Sequence, residues 1–414
     1  MLPSAPLPSS SPEGRRLSAS FGLPFGAWLV IGAYCAILIG VALSIPFPTR
    51  IDEIQHYSVI RAQYEHPALF PDWSRYLTVR TDDLRQWSPI PNYINHPSLY
   101  YLLLAPLMAF GGDPLLFRIV NALIATLALL IVVVAVRRRF PADIVSPVWF
   151  ALFAASFPKG AVVGGLINND NMAALAAAAL FAGLVGVPAA GWWIMVGLAL
   201  AGWTKLTALL ALAAVTGAWL GMRWRRGEIA LTDPIVGLTA LGLLIGAVPY
   251  LATLIQTGQL LWVNQDWWRV PMAERADYDL AGFASFFLRS MLFKWPAAET
   301  AFSLPLILAS LLASLAVAGI GLRRQVVRPI GLAYAVGIVA LIAIHFFFAW
   351  RGFQTLGDLT TAQTRYYNVL WPGVALAASA GAGVLARHWR GATLCVAALY
   401  QMTTLIGSVA LALL

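Results

Sequence analysis

Residues 27–57 read AWLVIGAYCAILIGVALSIPFPTRIDEIQHY, an apolar run that ends in a short polar segment. The apolar part, 27–45, is close to the ~20 residues that span the hydrocarbon core of a bilayer, and similar runs recur to the C-terminus. Of the 414 residues, 60% are hydrophobic and 11% are charged, whereas soluble domains carry roughly 25% charged residues. The mean hydropathy is +0.76. These features predict an all-α polytopic membrane protein and exclude a soluble one.

The basic residues indicate how the chain crosses the membrane. They give a formal net charge of +9, but they fall in short clusters between apolar runs, as the positive-inside rule expects of cytoplasmic loops. A nucleic-acid partner is therefore not expected. With Arg15 and Arg16 in the cytoplasm, about eleven spans place every dense basic cluster on that side. The resulting division is a cytoplasmic tail, 1–26, a single transmembrane domain, 27–414, and two large external loops, 46–113 and 256–300.

Three apolar segments depart from the length of a simple crossing. Residues 98–110 are too few to span, which is the length of an interfacial or re-entrant segment, and we expect an interfacial helix in the first external loop. Residues 192–220 are too many for one straight helix and contain Lys205 near the middle, so we expect the helix to break at Thr204 and Lys205. Residues 281–294 carry apolar side chains at near-helical spacing, which predicts an amphipathic helix on the outer surface.

The polar segment after the first apolar run places two carboxylates side by side, Asp52 and Glu53, with His56 one helical turn after Asp52. Carboxylates at a lipid boundary can serve as a general base. With His56 they could also supply oxygen and nitrogen ligands to a divalent cation. The alternative is a capping pair at the start of a surface helix, because acidic residues favour helix N-termini.

Further motifs follow this pair in a particular order along most of the chain. They are Asp52-Glu53 with Tyr57, NHPSLYYLLLAP at 95–106, Arg118 in a helix ending in arginines, NNDNMAA at 168–174, GLALAGWTKLT at 197–207, and Arg365-Tyr366 ahead of Pro372. Together they resemble the integral-membrane glycosyltransferases of the GT-C fold. The resemblance is closer to the branch that contains protein O-mannosyltransferases and lipid A aminoarabinose transferases.

The resemblance implies an inverting sugar transfer from a polyprenyl-phosphate-linked donor to a glycan, lipid or protein acceptor. The reaction would take place at the external, periplasmic face of a bacterial cytoplasmic (inner) membrane. Asp52 would be the base or an electrostatic anchor, with Glu53 as its partner. Related folds include metal-dependent and metal-independent members, so a divalent cation is left open. The sequence has no nucleotide-binding glycine-rich loop, and no nucleotide cofactor is expected.

A lipid-phosphate leaving group calls for cations in a low-dielectric pocket. Lys205 fits this need, because an ammonium inside an apolar stretch costs about 2.5 to 3.5 kcal/mol on insertion scales. Its alternative is an interfacial lysine whose ammonium snorkels to water. Arg365 and Tyr366 begin a returning helix, where a phosphate-binding role and plain interface anchoring are both open.

Other residues are substrate-binding candidates. The motifs that carry the resemblance contribute His56, Tyr57, His96, Tyr100 and Asp170. Helix capping also explains Asp170, which precedes an alanine-rich segment. Trp267 could stack on a sugar, although an aromatic belt at the membrane interface explains it more simply. A rival function is a transporter or flippase of a lipid-linked glycan, which would need polar residues along both halves of its path.

Overall fold

The computed structural model describes residues 22–49, 52–157, 160–261, 270–271, 274–293, 303–359 and 363–388. In these ranges the chain is mainly helical. The helices are α1 (Phe25–Ser44), α2 (Glu53–Glu65), α3 (Leu99–Leu104), α4 (Pro114–Arg139), α5 (Pro147–Ala155), α6 (Gly160–Gly164), α7 (Asp170–Leu184), α8 (Ala190–Gly202), α9 (Leu206–Arg225), α10 (Pro234–Thr257), α11 (Leu280–Phe293), α12 (Ser303–Gly321), α13 (Arg328–Leu356) and α14 (Trp371–His388). Short 3₁₀ segments occupy Trp73–Arg75, Ala105–Phe110 and Thr364–Leu370.

Six helices in the described ranges are long and apolar enough to cross a bilayer, as expected of an integral membrane protein. They are Phe25–Ser44, Pro114–Arg139, Leu206–Arg225, Pro234–Thr257, Arg328–Leu356 and Thr364–Ala386. The predicted count of about eleven spans is not confirmed. Helices such as α7 and α8 are apolar but shorter than ~20 residues, so length does not identify them as full crossings.

Helices α1 and α4 run antiparallel, and arginines at both ends of α4 hold them together. Near the start of α4, Arg118 Nη1 donates hydrogen bonds to the carbonyl oxygens of Ala42 and Ile45, at 3.0 and 2.6 Å. At the end of α4, Arg137 Nε donates to the carbonyl oxygen of Gly22, just before α1, at 3.0 Å. The basic cluster that ends α4 therefore lies at the opposite end of the bundle from the loop that follows α1.

The first turn of α7 and the break before α9 lie at the same end as the start of α4. Asn171 Nδ2 in the first turn of α7 donates to Asn121 Oδ1 of α4 at 2.9 Å. Asn169 Nδ2 donates to the carbonyl oxygen of Thr204 at 3.1 Å. Because α9 runs away from this point, the basic residues of its last turn lie at the far end with those of α4.

The predicted helix break at Lys205 is confirmed, since α8 ends at Gly202 and α9 begins at Leu206. Glycine lets α10 approach closely just before the break. A Cβ atom built on Gly202 would lie 2.2 Å from the carbonyl oxygen of Gly246 in α10. Trp203 Nε1 also donates to the carbonyl oxygen of Ile245, at 2.9 Å. This contact fixes where the chain leaves α8 and therefore where Lys205 is placed.

The first external loop predicted from the sequence is an ordered substructure. It contains α2, α3 and an antiparallel hairpin of β1 (Leu77–Val79) and β2 (Trp87–Pro91), which the sequence did not predict. The apolar segment 98–110 forms α3 and a 3₁₀ segment, in line with the short helix expected there. Side chains of α2, α3 and α4 pack into one apolar cluster that includes Tyr57, Tyr100 and Phe117.

The predicted amphipathic helix at 281–294 is present as α11. Its Phe283 and Phe287 pack against Ala349 and Phe353 of α13. Lys294, at the end of that segment, lies outside the described residues. The apolar side of α11 therefore contacts protein.

Replacement of Gly202 by alanine is expected to lower the thermal unfolding temperature, because the new methyl group would overlap backbone atoms of α10 that cannot move alone. Gly217→Ala is the matched control. Gly217 lies within α9, and a Cβ atom there meets nothing within 4 Å. Thermal unfolding in lipid nanodiscs compares the two variants. Equal unfolding temperatures would contradict the close approach of α8 and α10.

Candidate active site

Asp52 stands immediately before α2 but does not cap it. Its backbone is in the left-handed region, with φ +54°, which non-glycine residues adopt rarely, and its side chain makes no capping hydrogen bond. The carboxylate instead accepts a hydrogen bond from the hydroxyl of Tyr93 and forms an ion pair with Arg365 Nη2. The capping alternative therefore does not describe Asp52. Uncommon backbone conformations of this kind cluster at functional sites.

Arg365 joins two carboxylates that are far apart in the sequence. Its Nη2 contacts Asp52, and its Nε lies 3.6 Å from Asp170 Oδ2. Asp170 Oδ1 in turn accepts a hydrogen bond from Lys205 Nζ at 2.6 Å. The aromatic ring of Tyr366 covers both cations, with its centroid 4.4 Å from Lys205 Nζ and 5.8 Å from Arg365 Cζ.

The residues Asp52, Arg365, Asp170 and Lys205 form a row of alternating charge, here called the charge row. The side chains of Arg365, Asp170 and Lys205 are at most 7% exposed, while that of Asp52 is 22% exposed. Buried charges are tolerated only when they are paired, so each member of the row compensates its neighbours. Asp52 is the member that solvent reaches most easily.

The charge row contains polar groups that its own contacts do not satisfy. Within the described residues, Arg365 Nη1 and Nε make no hydrogen bond, and neither does Asn168 Nδ2 on the neighbouring loop. Buried donors without partners are rare in folded proteins and call for an explanation such as a missing ligand. An anion with several oxygen atoms would satisfy them.

The pKa of the Asp52 carboxyl is set by opposing effects. Burial raises this pKa, but the charge of Arg365 and the hydrogen bond from Tyr93 lower it further, so the net pKa lies below the usual range. Asp52 is therefore ionised in this state.

Glu53 faces away from the charge row. Arg118 Nε and Nη2 donate to its two carboxylate oxygens, each at 2.7 Å. The backbone N–H groups of Thr49 and Ile167 donate to the same oxygens at 3.0 and 3.1 Å. Glu53 is fully buried. It thereby joins the loop after α1 and the start of α2 to α4 and to the loop before α7.

Two histidines from the sequence-based set lie beside Asp52. The rings of His56 and His96 are nearly parallel, with centroids 6.2 Å apart, and His56 Nδ1 is 2.9 Å from the hydroxyl of Tyr101. Burial lowers the pKa of His56 well below its usual value and that of His96 to about 3. Both imidazoles are therefore neutral near pH 7 and can donate or accept hydrogen bonds.

The two tyrosines of the set lie in the packing beneath the site. The hydroxyl of Tyr57 donates to the carbonyl oxygen of Gly112 at 2.6 Å, and that of Tyr100 donates to Asn121 Oδ1 at 3.0 Å. The contact of Tyr100 holds the first loop onto α4, and that of Tyr57 joins α2 to the segment just before α4. Trp267 lies outside the described residues.

The structure does not assemble the metal-ligand set considered from the sequence. Asp52 faces Arg365, whereas Glu53 faces Arg118. In the part of the chain that the structure describes, no three His, Cys, Asp or Glu side chains converge on one point.

Tyr93 is the residue of the site that sequence reasoning missed. It precedes the 95–106 motif by two positions, and nothing in its immediate sequence marks it. Its contact with Asp52, 41 residues away, arises only from the folding of the first loop.

The helical bundle and the folded first loop together define the GT-C fold, which confirms the fold expected from the sequence. A solved structure similar to this chain is the crystal structure of ArnT from Cupriavidus metallidurans bound to undecaprenyl phosphate. The two share 16% sequence identity with a TM-score of 0.55, over 94% of this chain and 77% of ArnT. No protein-family profile and no curated protein sequence matches this chain.

Proposed function

We propose that this chain is an integral-membrane glycosyltransferase that uses a polyprenyl-phosphate-linked sugar. The observation that carries the proposal is the charge row, a partly exposed carboxylate beside two buried cations, one of which has unsatisfied donors. The fold supports the ligand class, since the similar ArnT structure is bound to undecaprenyl phosphate.

In this proposal Lys205 and Arg365 bind the donor phosphate. The lipid phosphate leaves with the electron pair of the sugar–oxygen bond, so negative charge grows on it in the transition state. Cations held in a low-dielectric site stabilise that charge without reorganising. The guanidinium of Arg365 can offer two parallel donors to phosphate, and Lys205 supplies a compact charge. Tyr366 keeps both cations desolvated from one side.

Asp52 is the general base of the proposed reaction. The acceptor's oxygen or nitrogen attacks the anomeric carbon as the bond to phosphate breaks, and its proton passes to the Asp52 carboxylate. Attack from the side opposite the phosphate inverts the anomeric configuration. A carboxylate held within hydrogen-bond reach of the acceptor makes the poor nucleophile reactive.

The other residues have supporting tasks. Glu53 is a positioning residue, because its oxygens are already occupied by Arg118 and two backbone N–H groups. Asp170 holds Lys205. His56 and His96 are neutral hydrogen-bonding groups next to Asp52 that can contact the sugar. Trp267 stays a prediction from the sequence.

The distribution of buried charge favours an enzyme over a transporter. Among the described residues, the buried ion pairs Glu53–Arg118 and Asp170–Lys205 lie at one end of the bundle, together with Arg365. A path for a lipid-linked glycan would need polar lining in both halves of the bilayer. Because the basic clusters of α4 and α9 lie at the other end, we place the site on the external, periplasmic side of a bacterial cytoplasmic membrane.

Asp52→Asn keeps the shape of the side chain and removes the proton acceptor. The assay measures release of undecaprenyl phosphate from a panel of undecaprenyl-phosphate-linked sugars, with membrane lipids and glycans as acceptors. We expect the rate of release to fall about 10²- to 10⁴-fold. Asp82→Asn, an exposed carboxylate of the same loop paired with Arg80, is the control and should retain activity. Release at the wild-type rate by folded Asp52→Asn protein would remove the catalytic role of Asp52. A wild-type protein that releases no undecaprenyl phosphate from any donor would refute the proposed reaction.

Lys205→Met keeps an apolar stem and deletes the charge. Affinity for radiolabelled undecaprenyl phosphate in nanodiscs should fall roughly tenfold or more, since a charge-assisted contact to phosphate is lost. Arg223→Met, in the basic end of α9, is the matched control and should bind as wild type does. Unchanged binding by Lys205→Met, with a lowered unfolding temperature, would make Lys205 a structural residue only.

A further inference from the structure

Arg365 has two tasks that bring two anions to the same guanidinium. As proposed above it binds the donor phosphate, yet in this structure its Nη2 is engaged by Asp52 and its Nε faces Asp170. Nη1 is buried and makes no hydrogen bond within the described residues. A phosphate that pairs with Nη1 takes its second parallel donor from Nη2, the nitrogen that Asp52 already engages, so the phosphate and the carboxylate meet as like charges at one nitrogen.

Asp52 is the carboxylate that can be displaced. Asp170 is 4% exposed and is held by Lys205 at 2.6 Å, so it keeps a cation when Arg365 turns away. Asp52 is 22% exposed and is paired with Arg365 alone among the cations of the site. Tyr93 gives it a second, neutral contact that does not depend on Arg365.

We propose, building on the function proposed above, that the donor phosphate and Asp52 compete for Arg365, so that donor binding releases the Asp52 carboxylate for the acceptor while Tyr93 holds it in position. The donor thereby activates the base. Tyr93 is a positioning residue, because it acts on the acceptor's proton only through Asp52.

Release from Arg365 raises the pKa of Asp52 and makes the carboxylate a stronger base, as the proposed reaction requires. Paired with Arg365, the carboxylate has a pKa below the usual range and is a weak base. Without Arg365 the effect of burial, which raises the pKa, is offset less, because of the two partners Arg365 and Tyr93 only Tyr93 still lowers it, and the nearby phosphate adds like charge. The other titratable or charged groups around Asp52 are His56, Tyr93, His96, Tyr101, Asp170, Lys205 and Tyr366. Of these, the two histidines are neutral near pH 7.

A double-mutant cycle on binding of radiolabelled undecaprenyl phosphate tests the competition. Asp52→Asn removes the competitor for Arg365, so the lipid should bind roughly tenfold more tightly than to wild type, which corresponds to about 1.4 kcal/mol. In Arg365→Gln protein, which we expect to bind the lipid weakly, adding Asp52→Asn should give a much smaller gain. Asp82→Asn, which breaks an exposed Asp–Arg pair of the same loop, is the control and should change nothing.

The outcomes separate this inference from the function on which it rests. Equal binding by folded Asp52→Asn protein would show that Asp52 does not compete for Arg365, and weaker binding would show that it orients Arg365 for the phosphate. Either result would overturn the competition alone. Binding of undecaprenyl phosphate is also compared with binding of the neutral alcohol undecaprenol. If neither wild type nor Asp52→Asn binds the phosphate more tightly than the alcohol, the proposed function is overturned as well.

A second measurement uses the wild-type chain and does not depend on a variant folding. Hydrophobic carbodiimides modify carboxyl groups in their protonated form, so the pH profile of Asp52 labelling, read by mass spectrometry, follows its titration. Undecaprenyl phosphate should move the midpoint of this profile to higher pH, because the carboxylate has lost the cation that stabilised its charge. A midpoint that stays in place or moves to lower pH would contradict the release.

Tyr93→Phe separates positioning from mere structural support. Loss of its hydrogen bond should move the labelling midpoint of Asp52 to still higher pH in the lipid-bound protein, because that bond stabilises the ionised form. A purely structural role would lower the unfolding temperature and leave the midpoint unchanged.

Discussion

The cost of burying charge is the constraint on which the site depends. Lys205, Asp170 and Arg365 are almost inaccessible to solvent, and each is tolerated because a neighbour of opposite charge lies against it. The need for compensation brings together the loop after α1, the start of α7, the break between α8 and α9, and the 3₁₀ segment before α14. In the proposed exchange of partners, an incoming anion replaces a carboxylate of this row.

A second buried ion pair keeps this row in place. Glu53 and Arg118 form two parallel hydrogen bonds, and their remaining donors and acceptors reach backbone groups of α1 and of the loop before α7. All of these contacts are local to one end of the bundle. Adjacent carboxylates thus have different tasks, because Asp52 turns towards the row and Glu53 turns into the protein.

The sequence predicted features whose cause is local, and missed those that arise from tertiary contacts. Lys205 revealed a helix break because an ammonium within an apolar run is costly wherever it lies. The ion pair of Asp52 with Arg365 joins residues 313 positions apart, and no local pattern encodes it. Tyr93 was missed for the same reason. The count of about eleven spans is not confirmed because apolar helices such as α7 and α8 are shorter than ~20 residues, a length that composition does not fix.

The most direct measurement of the central claim is a cryo-electron microscopy structure of the protein in nanodiscs with undecaprenyl phosphate. We expect the phosphate to lie within about 2.7–2.9 Å of Lys205 Nζ and of the Arg365 guanidinium, the usual length of a charge-assisted hydrogen bond. The Asp52 carboxylate should then be separated from Arg365 and still bonded to Tyr93. A phosphate bound elsewhere on the protein, with the ion pairs of the charge row unchanged, would contradict the account.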